Sequence, residues 1–250
     1  WGTAIVKMLC ENNNIVNWYI RNEEDVLFVK KKGRNSKYLQ SVVFDKSKIN
    51  TSSSIRKTVS KSNIIILAIP SPFLDTELKK ISDLLKGKVL FSALKGVIPE
   101  SHLIVSEHLN EFYKIPFSKI GIITGPCHAE EVALEKLSYL TVACKNVING
   151  QEMANSLMSS YIKVKVSKDT MGVEYAAMLK NIYAIVAGIC HGLGYGDNFQ
   201  SVLISSCVRE MNKFVYKIYK TNRDINDSEY LGDLLVTCYS SFSRNRTLGN

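Results

Sequence analysis

The chain has 250 residues, 46% hydrophobic and 22% charged, and its 32 Lys and Arg against 23 Asp and Glu leave a net charge of +9. That length supports two domains, each with its own core, and the composition is that of an ordinary soluble globular protein without low-complexity tracts apart from a short Thr-Ser stretch at residues 51–54. A clean membrane span is excluded because the most apolar segment carries Glu174, Lys180 and Asn181. The six cysteines (Cys10, Cys127, Cys144, Cys190, Cys207, Cys238) form no CxxC pair. Reduced thiols in a cytoplasmic protein are therefore expected, rather than disulfides or a zinc site.

Residue 1 is a tryptophan and not an initiator methionine, so an N-terminal segment is expected to precede it. No signal peptide is expected, because the sequence opens directly on an amphipathic pattern. Ala4, Ile5, Met8 and Leu9 make a helical stripe, ended by Glu11 and the asparagines Asn12 to Asn14. A short strand follows from Ile15 to Ile20. The run Lys30 to Arg34 (KKKGR) is then the densest positive cluster. It invites a nucleic-acid reading, but no aromatic residues are interleaved with it as a stacking platform requires. A solvated loop or a steering field for an anionic substrate fits equally well.

Four further apolar runs read as strands: Ile64 to Ile69, Val89 to Leu94, Ile120 to Thr124 and Leu137 to Cys144. Runs without strict alternation are expected of strands buried on both faces, and helix-length spacers between them predict a parallel, doubly wound α/β sheet. After about Lys168 helical patterns replace strand signals. The boundary is placed near residues 165–170, with Asp169 or Thr170 as helix cap, which gives domains of 1–165 and 166–250.

In an open parallel sheet ligands bind at the carboxyl ends of the strands. Those ends carry Arg21, the Pro70 to Pro72 turn, Lys95 with Gly96, and Gly125 to Ala129. Two basic side chains at one edge predict an anionic cofactor. WGTAIVKML resembles the end of a glycine-rich dinucleotide loop running into its helix, with Gly2 as the third glycine and the first strand before residue 1. Roughly 20 residues beyond such a loop an acid selects NAD and an arginine accommodates NADP. That place holds Arg21, which is either a solvated residue at a strand end or a partner for the 2′-phosphate.

The helical half holds an anomaly. Lys180 interrupts VEYAAMLKNIYAIVAGIC and shares a helix face with Ala176, Ala177, Ala184 and Ala187. A buried ammonium has its pKa pushed down unless an anion compensates, so Lys180 is a proton-transfer group or the partner of a bound negative charge. The alternative is a stem on apolar surface with its head in water.

Five blocks in order carry a resemblance: SALKGV (92–97), TGPCHAEEV (124–132), GVEYAAMLKNIYAIVAG (172–188), GLGYGDN (192–198) and LGDLLVTCYSSFSRNRTLG (231–249). Together the chain resembles the bacterial NAD(P)-dependent glycerol-3-phosphate dehydrogenases. The resemblance implies a Rossmann-like domain, a helical C-terminal domain, NADP or NAD as cofactor and no metal. It also implies a cytoplasmic homodimer that reduces dihydroxyacetone phosphate to sn-glycerol 3-phosphate for phospholipid synthesis, with no nucleic-acid or membrane partner.

Carried over by position, Lys180 matches the catalytic, proton-transferring lysine. Lys95 matches a residue touching both substrate and cofactor. Gly125, Cys127, Asp233, Ser243, Arg244 and Asn245 match substrate positions; Trp1, Gly2, Arg21, Ala129 and, again, Arg244 match cofactor positions. Cys127 and His128 depart from the family, which commonly has a hydroxyl and an aromatic residue there. Against the family the chain also lacks the first glycines and the helices after SRNR. Two rivals remain: a hydroxyacid or 6-phosphogluconate-type dehydrogenase, which has little use for the SRNR block, and a non-catalytic nucleotide- or nucleic-acid-binding protein.

Overall fold

The structure, a computed structural model, describes residues 1–12 and 14–250; Asn13, one of the asparagines expected to end the first helix, lies outside the described residues. Helix α1 (Gly2–Glu11) leads to strand β1 (Val16–Tyr19) and helix α2 (Glu23–Lys32). The lysine run closes α2: Glu23, Glu24 and Asp25 occupy its first turn, Lys30 to Lys32 its last, and Gly33 ends it at φ 65°. Acids at the start and bases at the end both favour the helix dipole. Strand β2 (Ile49–Ser52), helix α3 (Ile55–Ser60), strand β3 (Ile64–Leu67), helix α4 (Leu74–Lys79), strand β4 (Val89–Ser92) and helix α5 (Val105–Tyr113) follow. Then come β5 (Ile120–Thr124), the short α6 (Ala129–Ala133), β6 (Ser138–Cys144), α7 (Val147–Leu157) and β7 (Ile162–Ser167).

The strands form a parallel pair, β1 with β2, and a five-stranded sheet in the order β3-β4-β5-β6-β7. The unpaired edges of β1 and β3 line an apolar cavity of about 460 Å3 over Ile5, Leu9 and Met153. Every pairing in the larger sheet is parallel except β5 with β6, which is antiparallel. A fully parallel sheet was expected; the difference lies in the link. Helix α6 has five residues, a rise of roughly 7.5 Å, too short to return the chain along β5. The chain therefore stays at the carboxyl end of β5 and runs back antiparallel.

From Thr170 the chain is helical: α8 (Thr170–Gly192), α9 (Asp197–Ile218), a π-helical turn at Ser228–Gly232, α10 (Asp233–Tyr239) and α11 (Arg244–Gly249). The fold is thus a Rossmann-like sheet followed by a helical C-terminal part. Strand β5 joins the two: Ile123 packs with α1, whereas Ile122, with Ala143 of β6, packs with Val173 and Ala176 of α8. By length and hydropathy α8 would pass for a membrane span, yet here it is a core helix, with Glu174 and Lys180 both buried.

Asp169 caps α8 by accepting the Gly172 amide at 3.0 Å. At its far end α8 meets α11 backbone to backbone. A Cβ on Gly188 would collide with the Arg246 carbonyl, and one on Gly249 with that of Ile185. Only glycine at both places lets the two helices come that close. The SRNR segment is thereby seated on the helix that carries Lys180.

Candidate active site

Lys180 is 3% exposed and forms an ion pair with Asp233 Oδ1. Asp233, the first residue of α10, is equally enclosed, and its Oδ2 accepts a hydrogen bond from Thr124 Oγ1 at 3.1 Å. The pair thus spans three elements: Lys180 from mid-α8, Asp233 from the start of α10 and Thr124 from the carboxyl end of β5. Burial lowers the Lys180 pKa from its ordinary value; the Asp233 charge opposes this and the neighbouring Lys95 charge adds to it. Burial alone would raise the Asp233 carboxyl, but Lys180 and Lys95 hold it below the usual range. The result is an anionic aspartate beside an amine that gives up its proton more readily than a surface lysine.

Lys95 stands just past β4, in a turn where Ser92 Oγ accepts the Leu94 amide and Gly96 takes φ 146°. Its carbonyl accepts from Asn181 Nδ2 at 3.5 Å, and Asn181 Oδ1 accepts from Asn245 Nδ2 at 2.8 Å. Asn181 therefore ties the Lys95 turn to α11. Ser243 is buried and caps α11 by accepting the Arg246 amide, while Arg244 is exposed beside it.

The loop after β5 closes the site. Gly125 takes φ 123°, and a Cβ there would lie 2.8 Å from the Tyr139 carbonyl. No side chain fits that turn. Burial pushes the Cys127 thiol up to about 12, with Ser138 and Lys95 partly offsetting it, so Cys127 is a neutral packing group. His128 precedes α6 with its ring against Phe242. Its Nε2 is buried and unpartnered among the described residues, and burial lowers its pKa, with Lys95 and Lys180 among the nearby charges.

The expected residues fall into two groups. Lys95, Gly125, Cys127, Lys180, Asp233 and Asn245 gather where the carboxyl ends of β4 and β5 meet α8, α10 and α11. Arg21 is exposed beyond β1, where its charge acts on Tyr19 and Lys80 rather than on Lys180. Trp1 and Gly2 open α1, and Ala129 opens α6. Thr124 and Asn181 are the positioning residues that sequence reasoning did not single out. Thr124 stood in view at the head of TGPCHAEEV, but its role depends on Asp233, far along the chain.

These residues fit a dinucleotide. Among the described residues no side chain caps the first amides of α1, which suits an anionic diphosphate. Trp1 Nε1 is a buried donor without a partner among the described residues, and Arg21 offers a cation at the next strand end. Fold and site together define a nicotinamide-dependent oxidoreductase with a buried lysine–aspartate pair where the sheet meets the helices.

Comparison with known proteins narrows the class. Residues 1–149 match the N-terminal and residues 169–250 the C-terminal part of NAD-dependent glycerol-3-phosphate dehydrogenase. The chain belongs to that family. It is 33% identical to the glycerol-3-phosphate dehydrogenase [NAD(P)+] of Exiguobacterium sp., covering 100% of this chain and 74% of that protein. With the enzyme of the same name from Halothermothrix orenii the identity is 34%, over 100% of this chain and 72% of the relative. The crystal structure of glycerol-3-phosphate dehydrogenase from Coxiella burnetii superposes with a TM-score of 0.90 at 26% identity, covering 100% of this chain and 76% of that one. A D-mandelate dehydrogenase shares the fold at a TM-score of 0.61 and 18% identity.

Proposed function

We propose that the protein reduces dihydroxyacetone phosphate to sn-glycerol 3-phosphate, reversibly, with NADPH or NADH, and supplies glycerophospholipid synthesis in the cytoplasm. The observation that carries this reading is the buried Lys180–Asp233 pair, with Lys95 beside it and α11 seated against the same helix. A bound reduced nicotinamide supplies the hydride. As the substrate ketone becomes an alkoxide, Lys180 donates a proton to that oxygen; in the reverse direction it takes the proton from the secondary hydroxyl. Positioned proton transfer of this kind contributes roughly 10²–10⁴-fold.

Asp233 keeps Lys180 charged in a site whose burial favours the neutral amine, and Thr124 fixes the aspartate's second oxygen. The Arg244 fork and the Asn245 amide on α11 would suit a phosphate dianion. Lys95 would contact both substrate and cofactor. Gly2 and Trp1 with the open end of α1, Ala129, and Arg21 at the strand edge would hold the dinucleotide, Arg21 against a 2′-phosphate. A homodimer, and independence from metal and nucleic acid, belong to the same reading on the strength of the resemblance alone.

The test is nicotinamide oxidation by the purified protein with dihydroxyacetone phosphate, comparing NADPH with NADH. Oxidation with this substrate and none with hydroxyacids is expected; the reverse pattern would replace this reading with the hydroxyacid one. Arg21→Asp should move the NADPH to NADH preference toward NADH by about tenfold or more, the size of one lost charge-assisted contact. An unchanged ratio would remove Arg21 from the cofactor site.

A further inference from the structure

Strands β5, β6 and β7 carry one polar row across the sheet. Thr124 is paired with Thr141, and Thr141 with Lys165, so the three side chains leave the same face. Two acids, one on the π-helical turn and one at the start of α10, meet that row. Asp233 Oδ2 accepts from Thr124 Oγ1 at 3.1 Å. Four residues earlier, Glu229 Oε2 accepts from Thr141 Oγ1 at 3.4 Å, and its Oε1 lies 3.3 Å from Lys165 Nζ. Each acid thus has a threonine from the sheet and a lysine of its own, Lys180 for Asp233 and Lys165 for Glu229. Glu229 and Thr141 are buried, whereas the Lys165 side chain is 44% exposed and also pairs with Asp227 at 2.7 Å.

The turn between the two acids joins them. The Asp233 amide reaches back to the Ser228 carbonyl, the i to i+5 bond of a π-helix. Ser228 Oγ donates to Glu229 Oε2 at 3.3 Å, and Tyr230 OH donates to Asp169 Oδ2 at 2.6 Å. Such turns are rare and concentrate at functional sites, and here side chains on both flanks hold one in place. A buried carboxylate with its lysine gives little net stability over an apolar pair of the same shape. Its hydroxyl and ammonium partners do give it one fixed place.

We propose that Glu229 is a positioning residue for the proton transfer: held by Thr141 and Lys165, it fixes the π-helical turn against the sheet and with it the place of Asp233 beside Lys180. This role rests on Lys180 being the proton-transfer group. Glu229 acts through the backbone of the turn, which ends on the Asp233 amide. The other titratable neighbours of Lys180 are Lys95 after β4, His128 ahead of α6 and Cys238 on α10. All three stay unaltered in the variants that test this.

Carbon-13 NMR of the lysine side chains in the whole chain follows the Lys180 amine across pH without depending on turnover; its signal is the one lost in Lys180→Ala. Glu229→Ala removes the anchor, and Thr141→Val removes one hydroxyl at nearly constant shape. Both should lower the Lys180 titration midpoint, by about one unit in Glu229→Ala. The alkaline limb of dihydroxyacetone phosphate reduction should move with it, with NADPH affinity unchanged. Glu229→Gln removes the charge but keeps an acceptor for Thr141 and Ser228, so it should restore most of the midpoint. A midpoint that stays in place in Glu229→Ala and Thr141→Val, even with a lowered melting temperature, would overturn the proposal and leave Glu229 a structural group. So would a shift in Glu229→Gln as large as that in Glu229→Ala, which would trace it to charge and not to position. A shifted midpoint together with normal turnover in Lys180→Ala would instead remove the proton-transfer reading.

Discussion

Lys180 lies between opposing influences: burial and Lys95 drive its proton off, and Asp233 holds it on. The balance has a direct consequence for pH. In the proposed mechanism ketone reduction needs the protonated lysine, so turnover is expected to fall as pH rises through the Lys180 pKa, below the pH at which a free lysine amine titrates. Alcohol oxidation needs the neutral amine and rises across the same interval. Asp233→Asn removes the charge that raises the Lys180 pKa. The alkaline limb of the reduction profile should then move to lower pH by roughly one to three units. Steady-state rates across pH measure this, and a limb that stays in place would show that Asp233 does not set the lysine's protonation.

At the scale of elements, α8 is fastened along its length. Asp169 and Arg223 hold its start, Tyr175 OH donates to Glu107 of α5 at 3.0 Å, and the Gly188–Gly249 contact seats α11. Glu174 adds a buried bond between the two halves: its carboxylate oxygens accept the Ser106 amide at 3.3 and 3.2 Å, in the first turn of α5. Burial raises the Glu174 carboxyl from 4.5 to about 7, with those amides only partly opposing it. A raised acid stabilises the fold fully below its unfolded value and loses that contribution as pH climbs through the folded one. Between pH 4.5 and about 7 the native state therefore gives up about 3 kcal/mol through this group. Glu174→Gln keeps an acceptor for the α5 amide and removes the titration. Its melting temperature relative to the unaltered protein should rise from pH 5 to pH 8; a constant difference would mean that Glu174 does not ionise in this range.

Across the whole molecule, legibility follows locality. Strands β1, β3, β4, β5 and β6 were visible as apolar runs, and β5 was placed to the residue. Strand β2 is the polar INTS, which offers no apolar run to read. Strand β7 alternates buried Ile162 and half-buried Val164 and Val166 with exposed Lys163 and Lys165 at a sheet edge, a pattern easily taken for a domain linker. The antiparallel turn at β6 depends on the length of one short helix, which no residue announces. The same division holds in the site. Lys180 betrays itself as a charge within an apolar helix, and Gly125 as the glycine of a strand-closing turn. The Thr124–Asp233 bond and the Asn181 bridge exist only once distant segments meet. Motif order supplied what periodicity could not, by bringing Asp233 and Asn245 to attention without a geometric reason.

The most direct test of the account is a comparison of Lys180→Ala with the unaltered protein, measuring turnover of dihydroxyacetone phosphate and, separately, NADPH affinity. The account predicts turnover reduced by roughly 10²–10⁴-fold with cofactor affinity nearly unchanged and a native melting profile. Near-normal turnover in that variant would contradict it, and the buried lysine would then be a structural partner of Asp233 and nothing more.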